Sequence, residues 1–144
     1  MAMVINPNTG AGGVAFGMSQ PAVERALGAP SREFVRNQFS IGPEWEYRGR
    51  GIIVSFNAKE ACDALQLAAP CDPVLRGIHL LSMGAASAMA ALRRLDPAAT
   101  LHGDTLMSSS LGVSIFAPEV DNHPEVPASG VLVFGPEYYK SSGH

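Results

Sequence analysis

Cysteine is almost missing from this chain: its 144 residues hold two, Cys62 and Cys71. A disulfide scaffold needs more in so short a sequence. Two reduced, partly buried thiols are expected, and a Cys62–Cys71 bridge stays sterically open. Metal-ligand spacing is missing as well. The histidines are His79, His102, His123 and His144; no two fall at ligand spacing on one element, so no metal site and no cofactor are expected. No apolar run approaches the roughly 18–20 residues of a membrane span. The opening, Met1-Ala2-Met3-Val4-Ile5-Asn6-Pro7, lacks the basic segment and apolar stretch of a secretion signal. The expected setting is therefore cytoplasmic, without a membrane. Positive charge is scarce in the second part of the chain. Residues 1–94 carry nine Lys/Arg against seven Asp/Glu, whereas residues 95–144 carry Lys140 against Asp96, Asp104, Glu119, Asp121, Glu125 and Glu137. That imbalance disfavours nucleic acid, whose phosphates need basic clusters, and suits a basic protein partner.

Catalytic signatures are equally thin. Asn8-Thr9-Gly10-Ala11-Gly12-Gly13 is glycine-rich, but no Gly-Lys-Ser/Thr follows and a short strand, Val14-Ala15-Phe16, intervenes before any helix. A flexible turn is the expectation, not a phosphate cradle. A serine of Ser108–Ser110, with His102 and Asp104, could be drawn as a triad, yet no Gly-x-Ser-x-Gly elbow exists. Glu44 and Glu46 share one face of a strand at the period of two; a solvated face is expected for them, with Trp45 and Tyr47 turned to the core.

What is present is a repetition. Phe16-Gly17-Met18-Ser19-Gln20-Pro21-Ala22-Val23-Glu24-Arg25-Ala26-Leu27 returns as Leu81-Ser82-Met83-Gly84-Ala85-Ala86-Ser87-Ala88-Met89-Ala90-Ala91-Leu92. Each copy leads to a Gly-headed apolar run, Gly51-Ile52-Ile53-Val54-Ser55-Phe56 and Gly112-Val113-Ser114-Ile115-Phe116. Each then closes on another, Ala64-Leu65-Gln66-Leu67 and Val131-Leu132-Val133-Phe134. A repeated unit must be recognised before any fold is assigned. A single copy of roughly 60 residues would bury only about 60% of its surface and be marginal, so the two are expected to share one core. Ser19 caps the first helix, with Pro21 in its first turn, Met18 as a staple on Val23, and Gly28 and Pro30 ending it. The second helix covers about 84–95, with Met89, Leu92 and Leu95 on one face and Arg93 and Arg94 in its last turn. Strands are expected near 34–36, 44–47, 52–56, 62–67, 78–81, 105–110, 112–116 and 130–134. Residues 1–13 read as a loose arm and 68–76 as a linker. The expected fold is α+β: two tandem β-α-β-β-β repeats, about 13–68 and 77–139, with helices packed on antiparallel sheet in one shared domain. Residues 141–144 read as the remnant of an affinity tag.

The pattern Gly17-Met18-Ser19-x-x-x-Val23-x-x-x-Leu27-Gly28-x-Pro30 resembles one in the small outer-membrane-assembly lipoproteins and in the tandem-repeat β-lactamase inhibitor proteins. Strand Leu111-Gly112-Val113-Ser114-Ile115-Phe116-Ala117-Pro118 and the closing Val133-Phe134-Gly135-Pro136-Glu137-Tyr138-Tyr139 are similar to segments of bacterial immunity proteins that silence polymorphic toxins. This resemblance implies a non-enzymatic module that binds a protein partner, a toxin domain. The candidate contact residues are Glu119, Asp121, His123 and Glu125 in the proline-rich connection 117–129, with Tyr138 and Tyr139 near the C-terminus. Rival expectations are a small hydrolase or ligand-binding enzyme using a cleft between the repeats, and an envelope-assembly scaffold if a leader was removed.

Overall fold

The computed structural model describes residues 2–35, 42–136 and 138. The fold is α+β, dominated by strands. Among the described residues thirteen strands and two helices follow in the order β1 (Ala2–Asn6), β2 (Gly10–Ala11), β3 (Val14–Ala15), α1 (Gln20–Leu27), β4 (Arg32–Phe34), β5 (Glu44–Tyr47), β6 (Ile52–Phe56), β7 (Cys62–Leu67), β8 (Asp72–Leu75), β9 (Ile78–His79), α2 (Ala85–Leu95), β10 (Thr100–His102), β11 (Thr105–Ser108), β12 (Val113–Phe116) and β13 (Gly130–Phe134).

The strands build two sheets. The larger runs β10-β11-β12-β13-β7-β6-β5-β4, antiparallel throughout; the smaller runs β3-β2-β1-β8-β9. From the middle of the large sheet the order therefore reads outward through two four-strand meanders that meet where β7 pairs with β13. At that seam Leu67 lies opposite Val131, Gln66 opposite Leu132 and Leu65 opposite Val133.

Alternation along the strands divides the sheet into two faces. One face carries Tyr47, Ile52, Leu67, Val131, Ile115 and Leu106 in one row across the strands. Trp45, Val54, Leu65, Val133 and Val113 form the next row. All are buried and belong to a single apolar core. Full burial of a side chain such as Leu65 or Ile115 contributes about 1.5–3 kcal/mol. Against this face lie both helices and the small sheet, whose Met3, Ile5, Ala11, Val14 and Leu75 join the same core.

The helices follow their sequence logic. Ser19 Oγ accepts from Ala22 N at 3.3 Å, a proline occupies the first turn, and Val23 and Leu27 are buried. Gly28 ends the helix at φ 90°, its N–H donating to Glu24 O at 2.8 Å. In α2 the buried side is Ala85, Ala88, Met89, Ala91 and Leu92, spaced as one helical face. Glycine is required at the head of two strands. Gly51 (φ 70°) and Gly112 (φ 68°) are both in the left-handed region, and a Cβ on either would collide with the carbonyl oxygen of the paired residue, Ala68 or Phe134.

Five strands depart from expectation. Residues 1–13 are no loose arm: β1 alternates with Met3 and Ile5 inward, and Pro7-Asn8-Thr9 turns it into β2, with Asn8 at φ 63°, a conformation asparagine tolerates. The 68–76 linker contains β8, which pairs in parallel with β1. Their partnership spans some seventy positions, so no local pattern announces it. Beyond α2, β10 precedes β11, so four strands follow each helix in the large sheet rather than three. The strand expected at 34–36 begins earlier, at Arg32; Arg36 lies outside the described residues.

Candidate functional site

The second face of the large sheet carries Glu46, Ile53, Gln66, Leu132, Ser114 and Met107 as neighbours along one row. Both helices pack on the opposite side. This face holds a half-open groove of about 730 Å³. It crosses β5, β6, β7, β13, β12 and β11. Ile53, Gln66, Leu132 and Ser114 lie along its length, Phe116 at one margin, and Tyr138 beside it. Tyr138 lies 6.0 Å from the Phe134 ring, centroid to centroid. The turns Arg48-Gly49-Arg50-Gly51 and Ala68-Ala69-Pro70 border the groove.

One end is charged. Glu46 accepts from Arg32 Nε at 2.6 Å and from Arg48 Nε at 3.3 Å. The Arg32 hydrogen bond, aided by Arg48, holds the Glu46 carboxyl below its ordinary value. Two guanidinium groups thus face one carboxylate. Next to this cluster Glu44 is buried at 7% exposure, not solvated as expected. The strand period does place Glu44 and Glu46 on one face and Trp45 and Tyr47 in the core. What a period cannot supply is the cover over Glu44, which accepts from Ser55 Oγ at 3.2 Å and Gln66 Nε2 at 3.4 Å. Burial, reinforced by the Glu44 charge, pushes the Asp63 carboxyl up to about 6.

The connection between β12 and β13 is ordered by its own backbone and by α2. His123 N donates to Glu119 O at 2.7 Å, and Val126 N to His123 O at 3.1 Å. Helix α2 begins at Gly84 without a side-chain cap. Its first amides are met by this connection instead: Ala85 N donates to Val126 O at 2.8 Å and Ala86 N to Pro124 O at 3.1 Å. Even Gly84 fits the arrangement, since a Cβ there would lie 2.9 Å from Pro124 O. Glu119, Asp121, His123 and Glu125 are all exposed on this docked loop. The one ion pair among them is His123 Nδ1 to Glu125 Oε1 at 3.8 Å. Tyr138 lines the groove, which also reaches Phe116, Ser129 and Gly130 at the two ends of this connection. Tyr139 lies outside the described residues.

The drawn triad does not converge. His102 and Thr105 are opposite one another in register and lie on the groove face, and His102 Nε2 contacts Thr100 Oγ1 at 2.9 Å. Ser108 faces the core and donates to Asp96 Oδ2 at 2.6 Å. Asp96 also accepts from Ser110 Oγ at 3.1 Å and from Ala98 N at 3.0 Å, closing the end of α2. These donors, Ser108 foremost, hold the Asp96 carboxyl below its ordinary value. The sequence offered no sign of this cluster, because serine and aspartate twelve positions apart carry no spacing rule.

Cys62 and Cys71 are both unpaired and buried. Burial, with the Asp63 charge next, pushes the Cys62 thiol up to about 12, which makes it a poor nucleophile. Among the described residues no group of three or more His, Cys, Asp or Glu could hold a metal ion, and no helix is long and apolar enough to cross a membrane. Compared with protein-family models, curated proteins and solved structures, the chain matches none.

Proposed function

We propose that this chain acts by binding a protein rather than by catalysis, and that its partner is basic. The observation carrying this reading is the docked acidic connection between β12 and β13. It presents Glu119, Asp121 and Glu125 to solvent on a backbone held by the start of α2. No lysine or arginine occurs between Arg94 and Lys140 to neutralise it. Fixed like charges of this kind steer a complementary partner and limit the ordering entropy lost on binding.

The scaffold is proposed to be two tandem copies of a helix-plus-meander unit fused into one domain. The support lies in the hairpin registers: Ile52, which follows Gly51, lies opposite Leu67, as Val113, which follows Gly112, lies opposite Val133. Gly51 and Gly112 occupy equivalent places with the same backbone conformation. Met18 and Met83, the paired methionines of the sequence repeat, both pack against the core.

The closing segments resemble those of toxin-neutralising immunity proteins, so a bacterial toxin domain is the partner proposed. A cytoplasmic setting belongs to the same proposal and accords with two unpaired thiols. A pull-down from the native host would test it, using wild type and a variant with alanine at Glu119, Asp121 and Glu125. The expected result is a specific partner on the wild type that elutes with rising salt and is lost by the variant. Equal retention by both, with equal salt dependence, would refute the acidic surface.

A further inference from the structure

The groove on the other face of the sheet calls for a different occupant. It crosses six strands, and at about 4.8 Å between strands that is a length of roughly 24 Å. Its volume of about 730 Å³ spread over that length leaves a cross-section of about 30 Å². Such a space is long and one chain wide. Its floor offers few polar groups. Ile53 and Leu132 flank Gln66, whose amide already donates to Glu44, and Ser114 Oγ is covered over. A peptide lying there would find few partners for its own amides. A hydrocarbon chain needs none.

The two ends differ. At β5, Arg32 and Arg48 share the single Glu46 carboxylate, and their side chains are 51% and 68% exposed. At the β11 end stand Thr105 and the 46%-exposed Phe116, with Asp104 in the adjoining turn. Glu46, 25% exposed, and buried Glu44 offset these charges from beneath, so it is the two guanidinium groups that face solvent at the β5 end, whereas Asp104 stands by the other end.

We propose that the groove binds a single-chain amphiphile, a fatty acid or a close analogue, with its alkyl chain over Ile53 and Leu132 and its anionic head at Arg48 and Arg32. Glu119, Asp121 and Glu125 do not line the groove, so the proposal stands whether or not those residues dock a partner.

The test is titration with the fluorescent fatty acid 11-(dansylamino)undecanoate, followed by displacement with palmitate and with uncharged hexadecanol. Saturable enhancement with one site per chain is expected. Leu132→Trp and Ile53→Trp, each filling the floor at a half-exposed position, should weaken binding about tenfold or more with far-UV circular dichroism unchanged. Ser129→Trp on the exposed rim serves the same purpose should either fail to fold. Arg48→Ala should weaken palmitate several-fold and leave hexadecanol unaffected. Failure of the wild type to saturate would overturn the proposal, as would folded groove-filling variants that bind like wild type. Arg48→Ala binding palmitate as tightly as wild type would overturn the placement of the head.

Discussion

Ile115→Ala asks whether the two meanders unfold as one body. Ile115 sits in β12, fully buried, opposite Leu106 on one side and Val131 on the other. Alanine removes three carbons from a row hemmed by paired strands on both sides. The backbone there has little freedom to collapse onto the space, so a loss of about 3 kcal/mol is expected, within the roughly 2–5 kcal/mol span for such truncations. With a urea slope of about 2 kcal/mol/M, the midpoint should fall by about 1.5 M. The sole tryptophan, Trp45, lies in β5, in the other meander, and packs edge-on against Phe56 at 5.0 Å between centroids. It reports the half that was not altered. If the core is shared, Trp45 fluorescence and far-UV circular dichroism will move together by that same amount. A circular-dichroism midpoint that falls while the Trp45 midpoint stays put would refute the shared core, and a loss below about 1 kcal/mol would refute the packing estimate.

Three further outcomes follow from local chemistry. Ser19→Ala removes the acceptor for Ala22 N and should lower stability by about 1 kcal/mol in the same urea experiment; no change would mean that water replaces the cap. Asp96 has a lowered folded-state pKa, so its ionised form stabilises the fold above the ordinary aspartate range, and that contribution disappears as pH falls through the depressed value. The stability gap between wild type and Asp96→Asn should be widest near neutrality and shrink at pH 3. Asp63 is the reverse case. Raised to about 6 from a reference of 3.8, it lets the native state hold a proton that the unfolded chain releases, so stability should decline as pH rises from about 4 to about 6. Asp63→Asn should flatten that decline and melt higher than wild type at pH 7; a lower melting temperature would contradict the assignment.

Legibility in the sequence tracked the range of the interaction involved. Helix α1 was readable nearly to the residue because Ser19, Pro21 and Gly28 act within one or two turns. Strands β6, β7, β12 and β13 were readable from apolar runs, β6 and β12 with glycine heads, and β5 from its alternation. The small sheet was not. Its β1 pairs with β8 far along the chain, and the Gly, Asn and Pro residues beside β1 gave a louder turn signal than its five-residue alternation. For the site, the acidic connection was visible as composition, but its attachment to α2 was not, because that attachment uses backbone carbonyls that any sequence possesses. The groove was invisible for a similar reason: it arises from six strands in register, and neither Ile53 nor Leu132 is unusual by itself.

The manner in which α2 begins has a consequence for how this protein can change over generations. Most helices tie their first turn to the identity of one side chain, and drift at that position is penalised. Here Pro124 and Val126 serve Ala85 and Ala86 through peptide oxygens, while the neighbouring side chains at 119, 121, 123 and 125 point into water. Substitution along that stretch can change the surface it presents without unseating the helix. A lineage pressed to match a shifting opponent would find its variable positions already insulated from its foundations.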